Sequence, residues 1–242
     1  LGEVFLLIAE SARGVRTGIH PGDLVRQLLV LGVQSIPIAV GTVALSGAVL
    51  ALYTVQSLTT YGAGGLVGGI VALTVVRETG PLISSIMMTA RAGSAIAAEI
   101  GTMKATEQID ALRAMGLSPV EHLATPRILA CLVMLPIATL FSDAAGIAGG
   151  MLVALGRGQS QQEFTTSFRN LLDPSGADIF EGLAKSLVFG LIVGAVGCRE
   201  GLRSTGGAAG VGHSTIRAVV LALALIFVAD LCVTFLTRDG II

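Results

Sequence analysis

Residues 27–76 read QLLVLGVQSIPIAVGTVALSGAVLALYTVQSLTTYGAGGLVGGIVALTVV and contain no charged side chain over 50 positions. An α-helix needs about 20 apolar residues to cross the hydrocarbon core of a bilayer. The rest of the chain has a similar character, since 53% of the 242 residues are hydrophobic and 13% are charged, whereas about 25% of the residues of soluble domains are charged. The sequence therefore predicts an all-α protein that crosses a membrane several times.

Hydropathy predicts five spans, and an amphipathic stretch at residues 3–26 is expected to lie on the membrane surface before the first of them. The predicted spans cover residues 28–57, 66–96, 128–155, 183–198 and 216–237. The second span is unusual because Arg77, Glu78, Gly80 and Pro81 lie in its middle. A turn is predicted at His20–Pro21–Gly22–Asp23, where it breaks the amphipathic stretch before the first span.

The distribution of basic residues predicts the orientation of the chain. With a cytoplasmic N-terminus, nine of the 15 Lys and Arg residues lie on the inner side, four lie on the outer side, and Arg77 and Arg91 lie in the second span. The inner nine are Arg13, Arg16, Arg26, Lys104, Arg113, Arg127, Arg199, Arg203 and Arg217. The outer four are Arg157, Arg169, Lys185 and Arg238. We therefore expect a cytoplasmic N-terminus and an outer C-terminus.

Composition and motifs exclude several functional classes. A net charge of −1 gives no broad basic surface for nucleic acid. The three cysteines lie in apolar segments without a CxxC pair, and the three histidines lie in separate polar segments without an HExxH motif. We expect no catalytic residue, metal site or bound cofactor in this chain. Since it begins at Leu1 without a methionine, we also expect further residues before it.

The charges inside the second span need partners. A charge at the centre of a span costs ~2.5–3.5 kcal/mol on insertion scales. Adjacent helical residues point in different directions, so Arg77 and Glu78 are expected to pair with a group across a dimer, with water or with a lipid head group rather than with each other. Backbone groups freed by Gly80–Pro81 favour a neighbouring cavity. The alternative is that both side chains lie near the outer interface and extend to water.

Four other embedded charges give weaker signals. Arg91 and Glu99 are expected near the cytoplasmic rim, in structural ion pairs. Asp143 and Asp230 are expected either to bridge helices through hydrogen bonds or to form a proton relay.

Three segments between spans are informative. The stretch TEQIDALRAM, residues 106–115, predicts a short amphipathic helix closed by Gly116, which is either a docking surface or a solvated connector. Residues 157–182 predict a short helix at the outer interface with an apolar face that includes Phe164 and Phe168, with a plain loop as the alternative. The Gly-rich residues 201–212 predict a flexible cytoplasmic loop.

Residues 77–116, RETGPLISSIMMTARAGSAIAAEIGTMKATEQIDALRAMG, closely resemble the signature region of the MlaE/YrbE family. PRILACLVMLPIATL (126–140) and GGAAGVGHSTIRAVV (206–220) resemble later blocks of that family. Its members are permease subunits of MCE-type ABC lipid transporters. The resemblance implies one permease domain over residues 1–242, with an interfacial helix, five spans and a cytoplasmic coupling helix at about 105–116.

The resemblance also implies partners and site residues. Two copies of the chain would pair, each would dock a separate ATPase that holds ATP and Mg²⁺, and an MCE-domain protein on the outer side of the inner membrane would shield lipid in transit. The implied ATPase-coupling residues are Thr106, Glu107, Gln108, Ile109, Asp110, Leu112 and Arg113. In the implied lipid cavity Arg77 attracts a phosphate and Glu78 holds Arg77. The lipid tails are expected to lie against Leu45, Val49, Leu52 and Leu73.

One alternative function comes from another class. A proton-coupled secondary transporter would use Asp143, Asp230 and Glu78 as proton carriers and would work without ATP. Such transporters usually contain an internal repeat, which this sequence lacks. The sequence also lacks the GxxxxGK[ST] phosphate loop, so we expect a partner to hydrolyse any ATP.

Overall fold

The computed structural model describes residues 2–17, 21–173 and 175–238, and the regular elements in these ranges are all helical. The α-helices are α1 (Gly2–Thr17), α2 (Pro21–Gln27), α3 (Ile36–Thr60), α4 (Val67–Thr74), α5 (Gly80–Met88), α6 (Ser94–Ala105), α7 (Gln108–Ala114), α8 (Thr125–Gly156), α9 (Gln161–Leu171), α10 (Ala177–Leu202) and α11 (Gly207–Arg238). Of the predicted turn His20–Asp23, His20 lies outside the described residues, and the prediction is wrong for Pro21, Gly22 and Asp23, which form the first turn of α2.

Five helical segments of the described chain are long and apolar enough to cross a membrane, which confirms the predicted all-α polytopic fold. They are Pro21–Thr60, Gly64–Ala105, Val120–Gly156, Ala177–Leu202 and Gly207–Thr237. Each helical segment is longer than the apolar stretch predicted from hydropathy. The additional turns, at one or both ends, contain polar residues that a hydropathy criterion leaves out. The loop prediction for residues 201–212 is wrong except for residues 203–206, since α10 continues to Leu202 and α11 begins at Gly207.

Short π-helical and 3-10 segments join the α-helices within the first three spans. The π-helical segments are Leu28–Gly32, Val75–Thr79, Thr89–Gly93 and Val120–Ala124, and the 3-10 segments are Val33–Ser35 and Gly64–Leu66. A π-helical turn changes the direction of the side chains that follow it and often lies at a functional site. Two of these turns carry the embedded charges of the second span: one contains Arg77 and Glu78, and the other contains Arg91.

The chain divides into two compact units. The first comprises residues up to 35, 85–135 and the chain from 187 onward. In it, α6 packs along α11, and α1 packs on the π-helical segment Val120–Ala124. The buried residues of α1 recur at helical spacing, as the predicted amphipathic stretch requires. Among the α1 residues whose burial is described, they are Val4, Leu7, Ser11 and Gly14.

The second unit comprises residues 36–84 and 136–186. Its apolar core is built from one face of α3, from α4 and the first residue of the π-helical segment Val75–Thr79, and from the C-terminal end of α8, with Phe164 of α9 buried against them. The buried members are Val43, Ala51, Val55, Val67, Val71, Val75, Ala154 and Phe164. Helix α9 confirms the predicted helix within residues 157–182, and a reciprocal capping box between Ser160 and Glu163 begins it.

Candidate functional site

The embedded charges of the second span pair with charges on α10, within the second unit. Arg77 Nε donates to Asp178 Oδ1 at 2.7 Å, and its Nη2 contacts the same oxygen. Glu181 Oε2 lies 3.5 Å from Arg77 Nε. The guanidinium therefore faces two carboxylates one helical turn apart.

Lys185 connects the second charge of the pair to the backbone. Its Nζ donates to Glu78 Oε1 at 2.7 Å and to the carbonyl oxygen of Arg77 at 3.2 Å. Pro81 has no N–H with which to satisfy the carbonyl four residues earlier, that of Arg77. The lysine supplies this missing donor. Because the Lys185 side chain is 0% exposed, these acceptors replace the water that its ammonium group would otherwise bind.

These five residues, Arg77, Glu78, Asp178, Glu181 and Lys185, form what we call the charged cluster. Its formal charge is −1, from two cations and three carboxylates. The Arg77 and Glu78 side chains are 37% and 39% exposed, whereas Asp178 is 3% exposed. The cluster thus presents one cation and one carboxylate at its accessible edge. Such an edge can contact a polar group that carries both signs of charge.

Two local features position α10 against the second span. A Cβ atom on Gly182 would overlap the carbonyl oxygen of Val76, so a glycine is required at this close approach. At the start of the helix, Asp178 Oδ2 accepts the N–H of Asp173 at 2.7 Å. Asp173 Oδ1 in turn accepts the N–H of Ser175 at 2.8 Å. The hydrogen bonds from Ser175 lower the pKa of the exposed Asp173 carboxyl, with a smaller effect of the Arg77 charge.

The structure corrects the predicted partners of the embedded pair. We expected Arg77 and Glu78 to find them across a dimer, in water or on a lipid, and we expected Glu78 to hold Arg77. Instead, α10 of the same chain supplies both sets of partners, and Glu78 contacts Lys185. The missed residues Asp178, Glu181 and Lys185 share one helical face at spacings of three and four. That spacing could have been recognised if the fourth span had not been predicted to begin at residue 183.

The predicted walls of the lipid cavity lie on α3 and α4 of the same unit. Leu45 and Val49 are exposed on the face of α3 opposite the core residues Val43 and Ala51. Leu52 and Leu73 are half-buried. Their role against lipid tails stays a prediction.

The predicted coupling segment belongs to the first unit and folds as a turn followed by a short helix. Thr106 caps α6, and Glu107 adopts a left-handed backbone with φ +60°. Helix α7 then covers Gln108–Ala114, so the helix is shorter than the predicted range of about 105–116. Of its predicted apolar side, Ile109 is buried and Leu112 is half-buried, whereas Met115 is exposed.

The polar residues of the coupling segment are accessible. The side chains of Thr106, Glu107, Gln108, Asp110 and Arg113 are exposed. Arg113 Nη1 lies 3.2 Å from Asp110 Oδ1 in an ion pair along the helix, and Gln108 Nε2 donates to Thr106 Oγ1 at 3.1 Å. The segment thus presents a mixed polar surface anchored by Ile109.

The remaining embedded charges have different environments. Glu99 forms the predicted structural ion pair, at 3.0 Å from Arg127. Arg91 instead donates to the Val30 carbonyl and to Ser35 Oγ, both at 3.0 Å, where the first span is not α-helical. The Oδ1 atom of Asp143 is buried without a hydrogen-bond partner among the described residues. The expected hydrogen-bonded bridge is therefore absent at that oxygen.

Comparison with known proteins places the chain in a family. The sequence profile of the family described as Permease MlaE matches residues 24–236. This chain belongs to the MlaE permease family. A probable ABC transporter permease protein of Synechocystis sp. is 38% identical over 240 residues, which cover 99% of this chain and 88% of that protein. A probable ABC transporter permease protein of Rickettsia felis is 36% identical over 221 residues, covering 91% and 85% of the two chains.

A plant relative extends the comparison. The protein named Trigalactosyldiacylglycerol 1, chloroplastic, of Arabidopsis thaliana is 38% identical over 217 residues. The match covers 88% of this chain and 60% of the plant protein. Together with the five spans, these relatives identify the MlaE-family chain as a multi-pass permease subunit of an ABC transporter.

Proposed function

We propose that this MlaE-family permease moves a phospholipid or a related lipid between the inner membrane and an MCE-domain protein on the outer side. The observation that carries the proposal is the charged cluster, in which Arg77 and Glu78 remain accessible inside a membrane-spanning segment. The second unit thus contains both accessible charges and the exposed apolar side chains Leu45 and Val49 of α3, a combination that suits an amphiphile with a polar head and hydrocarbon tails. The name of the plant relative, which refers to a galactolipid, supports a lipid substrate.

The charged cluster affects how a head group would bind. Because its formal charge is −1, it does not attract a phosphate as an isolated arginine would. We propose that Arg77 contacts the phosphate while Glu78 interacts with a cationic or hydrogen-bonding part of the head group. Asp178 and Lys185 act as positioning residues, since each is buried and holds one of the accessible side chains.

Transport requires a partner that supplies energy. The sequence carries no phosphate loop, so we propose that a separate cytoplasmic ATPase holds ATP and Mg²⁺ and docks on the segment from Thr106 to Arg113. Two copies of the permease would pair, with their N-termini cytoplasmic and their C-termini on the outer side. Closure of the ATPase on ATP would shift the permease between two states. Lipid moves only if its affinity differs between those states.

Reconstitution tests the proposal. The permease is co-expressed with its partner subunits, placed in vesicles with a fluorescent phospholipid, and assayed for lipid release to an MCE-domain acceptor. We expect release that requires ATP and that stops when the ATPase is inactivated. Release without ATP would contradict the proposal.

A second candidate, the proton-coupled secondary transporter, rests on one observation. Asp143 is buried, and its Oδ1 has no hydrogen-bond partner in the described chain. That mechanism predicts transport driven by a pH gradient and abolished by Asp143→Asn. The ATP-driven mechanism predicts no effect of collapsing the gradient, so the same vesicles distinguish the two.

A further inference from the structure

A large open cleft lies in the first unit, among the ends of three helices. It has a volume of about 1090 Å³ and is lined by the last turns of α6 and α10, by the linker that follows α10, and by the first turns of α11. Its polar lining residues include Lys104, Arg199, Glu200, Arg203, His213 and Arg217. We call this feature the basic cleft. The charged cluster belongs to the other unit and shares no residue with it.

The cleft is cationic. Four lysine and arginine side chains face one carboxylate, for a formal charge of +3 without the histidine. Arg199 contacts Glu200 in an ion pair, and Lys104 Nζ donates to the Leu202 carbonyl at 2.6 Å. Arg203 and Arg217 are both exposed. Among the described lining residues, the carboxylate of Glu200 contacts a neighbouring arginine, and the exposed residues Arg203 and Arg217 keep accessible surface.

One wall of the basic cleft is apolar. Beyond Arg217, the lining continues along α11 through Val220, Leu221 and Ala224. At 1.5 Å per residue, Arg217 to Ala224 spans about 10 Å along the helix. Val220 is 62% exposed. Cationic groups at one end therefore lead directly onto the accessible apolar surface of a membrane-spanning helix.

We propose that the basic cleft binds an anionic phospholipid, with the phosphate against Arg203 and Arg217 and the upper tail carbons along α11. Basic pockets between membrane-spanning helices on the cytoplasmic side suit anionic head groups. A soluble anion would leave the apolar wall unused. A zwitterionic head group would need an available carboxylate for its ammonium group, and Glu200 already contacts Arg199. The assignment to the cytoplasmic leaflet rests on the proposed orientation.

The test uses the whole transporter, purified with its partner subunits. Native mass spectrometry compares retention of phosphatidylglycerol and phosphatidylcholine with identical acyl chains. Arg203→Gln and Arg217→Gln each remove one exposed charge from the cleft. Arg26→Gln is the matched control, because Arg26 is exposed on α2 of the same unit, is predicted on the same side of the membrane, and lies outside the cleft. Inorganic phosphate is added as a competitor in a parallel series.

We expect the wild type to retain phosphatidylglycerol in preference to phosphatidylcholine. In each cleft variant the ratio of the two retained lipids should be roughly fivefold lower, as expected for the loss of one surface cation. Arg26→Gln should match the wild type, and inorganic phosphate should displace little of the lipid. Three results would overturn the proposal: no preference in the wild type, equal loss in Arg26→Gln, or displacement by inorganic phosphate. If the cleft variants lose the ATPase subunit but keep the lipid preference of the wild type, the cleft is a protein contact, and the proposal is again overturned.

Failure of the proposed transport function can be distinguished from failure of the inference about the cleft. In that case lipid release to the MCE-domain acceptor would fail or would not need ATP, whereas the effect of Arg217→Gln on phosphatidylglycerol retention would persist. Conversely, ATP-dependent release with no anionic preference at the cleft would overturn only the inference about the cleft.

Discussion

Lys185 Nζ lies 2.7 Å from Glu78 Oε1, and the lysine is completely buried while the glutamate is 39% exposed. This unequal burial means that the two partners do not depend on each other equally. Removing the carboxylate takes a counter-charge at 2.7 Å away from a buried ammonium. Removing the ammonium leaves a carboxylate that still reaches solvent.

Substitution of the two residues should therefore give unequal losses of stability. Glu78→Gln should lower the free energy of unfolding by ~3–5 kcal/mol, the usual cost of breaking a buried pair from one side. The double variant Glu78→Gln, Lys185→Met should be more stable than Glu78→Gln alone, because the buried charge is gone. Thermal unfolding of the purified permease in detergent measures both, with Glu107→Gln as a control at an exposed carboxylate. Equal stability of the single and double variants would contradict this account.

Arg77 and Asp178 provide a test of the head-group role that separates binding from folding. Arg77→Gln alone should destabilise the permease, since Asp178 is 3% exposed and loses its main cation. The double variant Arg77→Gln, Asp178→Asn removes both charges with little change of shape, and we expect it to stay folded. Quantitative lipid mass spectrometry should then find less bound phospholipid per permease. Wild-type occupancy in this folded variant would refute a role for Arg77 in binding lipid.

The turn before α10 should respond to acid. Hydrogen bonds from Ser175 lower the pKa of Asp173 below its ordinary value of about 3.9. A carboxyl whose pKa is lower in the folded state stabilises that state above the ordinary value, and this contribution is lost as the pH falls through the folded-state pKa. We expect wild type to melt at a higher temperature than Asp173→Asn at pH 7, and the difference to shrink at pH 3. A constant difference would show that the charge of Asp173 does not stabilise the turn.

The coupling segment can be tested at Glu107. This residue is exposed with φ +60°, a backbone conformation that glycine adopts more readily than glutamate. Glu107→Lys should leave the permease folded and reduce lipid-stimulated ATP hydrolysis roughly tenfold, as for the loss of one contact to a charged group.

Glu107→Gly is the matched variant, because it removes the carboxylate while relieving the backbone. It should lower hydrolysis as well if the carboxylate itself contacts the ATPase. Wild-type hydrolysis in both variants would remove Glu107 from the docking surface.

Hydropathy predicted the five spans because uncharged stretches such as residues 27–76 are too long and too apolar to be segments of a soluble domain. It missed the ends of the spans, where polar residues continue the helix. The first turn of α10 contains Asp178, which is polar in sequence but neutralised by Arg77 in the structure. Likewise, the Gly-rich residues 207–212 form the first turns of α11. Single-residue propensity favours a loop there, and packing of α11 against α6 overrides it.

The candidate site was predicted only in part. Arg77 and Glu78 were identified because charges inside an apolar span are costly. Their partners were not, since the spacing of Asp178, Glu181 and Lys185 indicates one charged helical face but does not indicate which span that face pairs with. The capping box of Ser160 and Glu163 shows the opposite case: the motif SQQE is local and could have fixed the start of α9 from sequence.

The most direct test of the central claim is purification of the tagged permease from its own host in mild detergent, with mass spectrometry of the proteins and lipids that accompany it. The proposed function predicts an ATPase subunit, an MCE-domain protein and phospholipid in near-stoichiometric amount. A chain that purifies without ATPase and without lipid, and that transports in the absence of ATP, would contradict it.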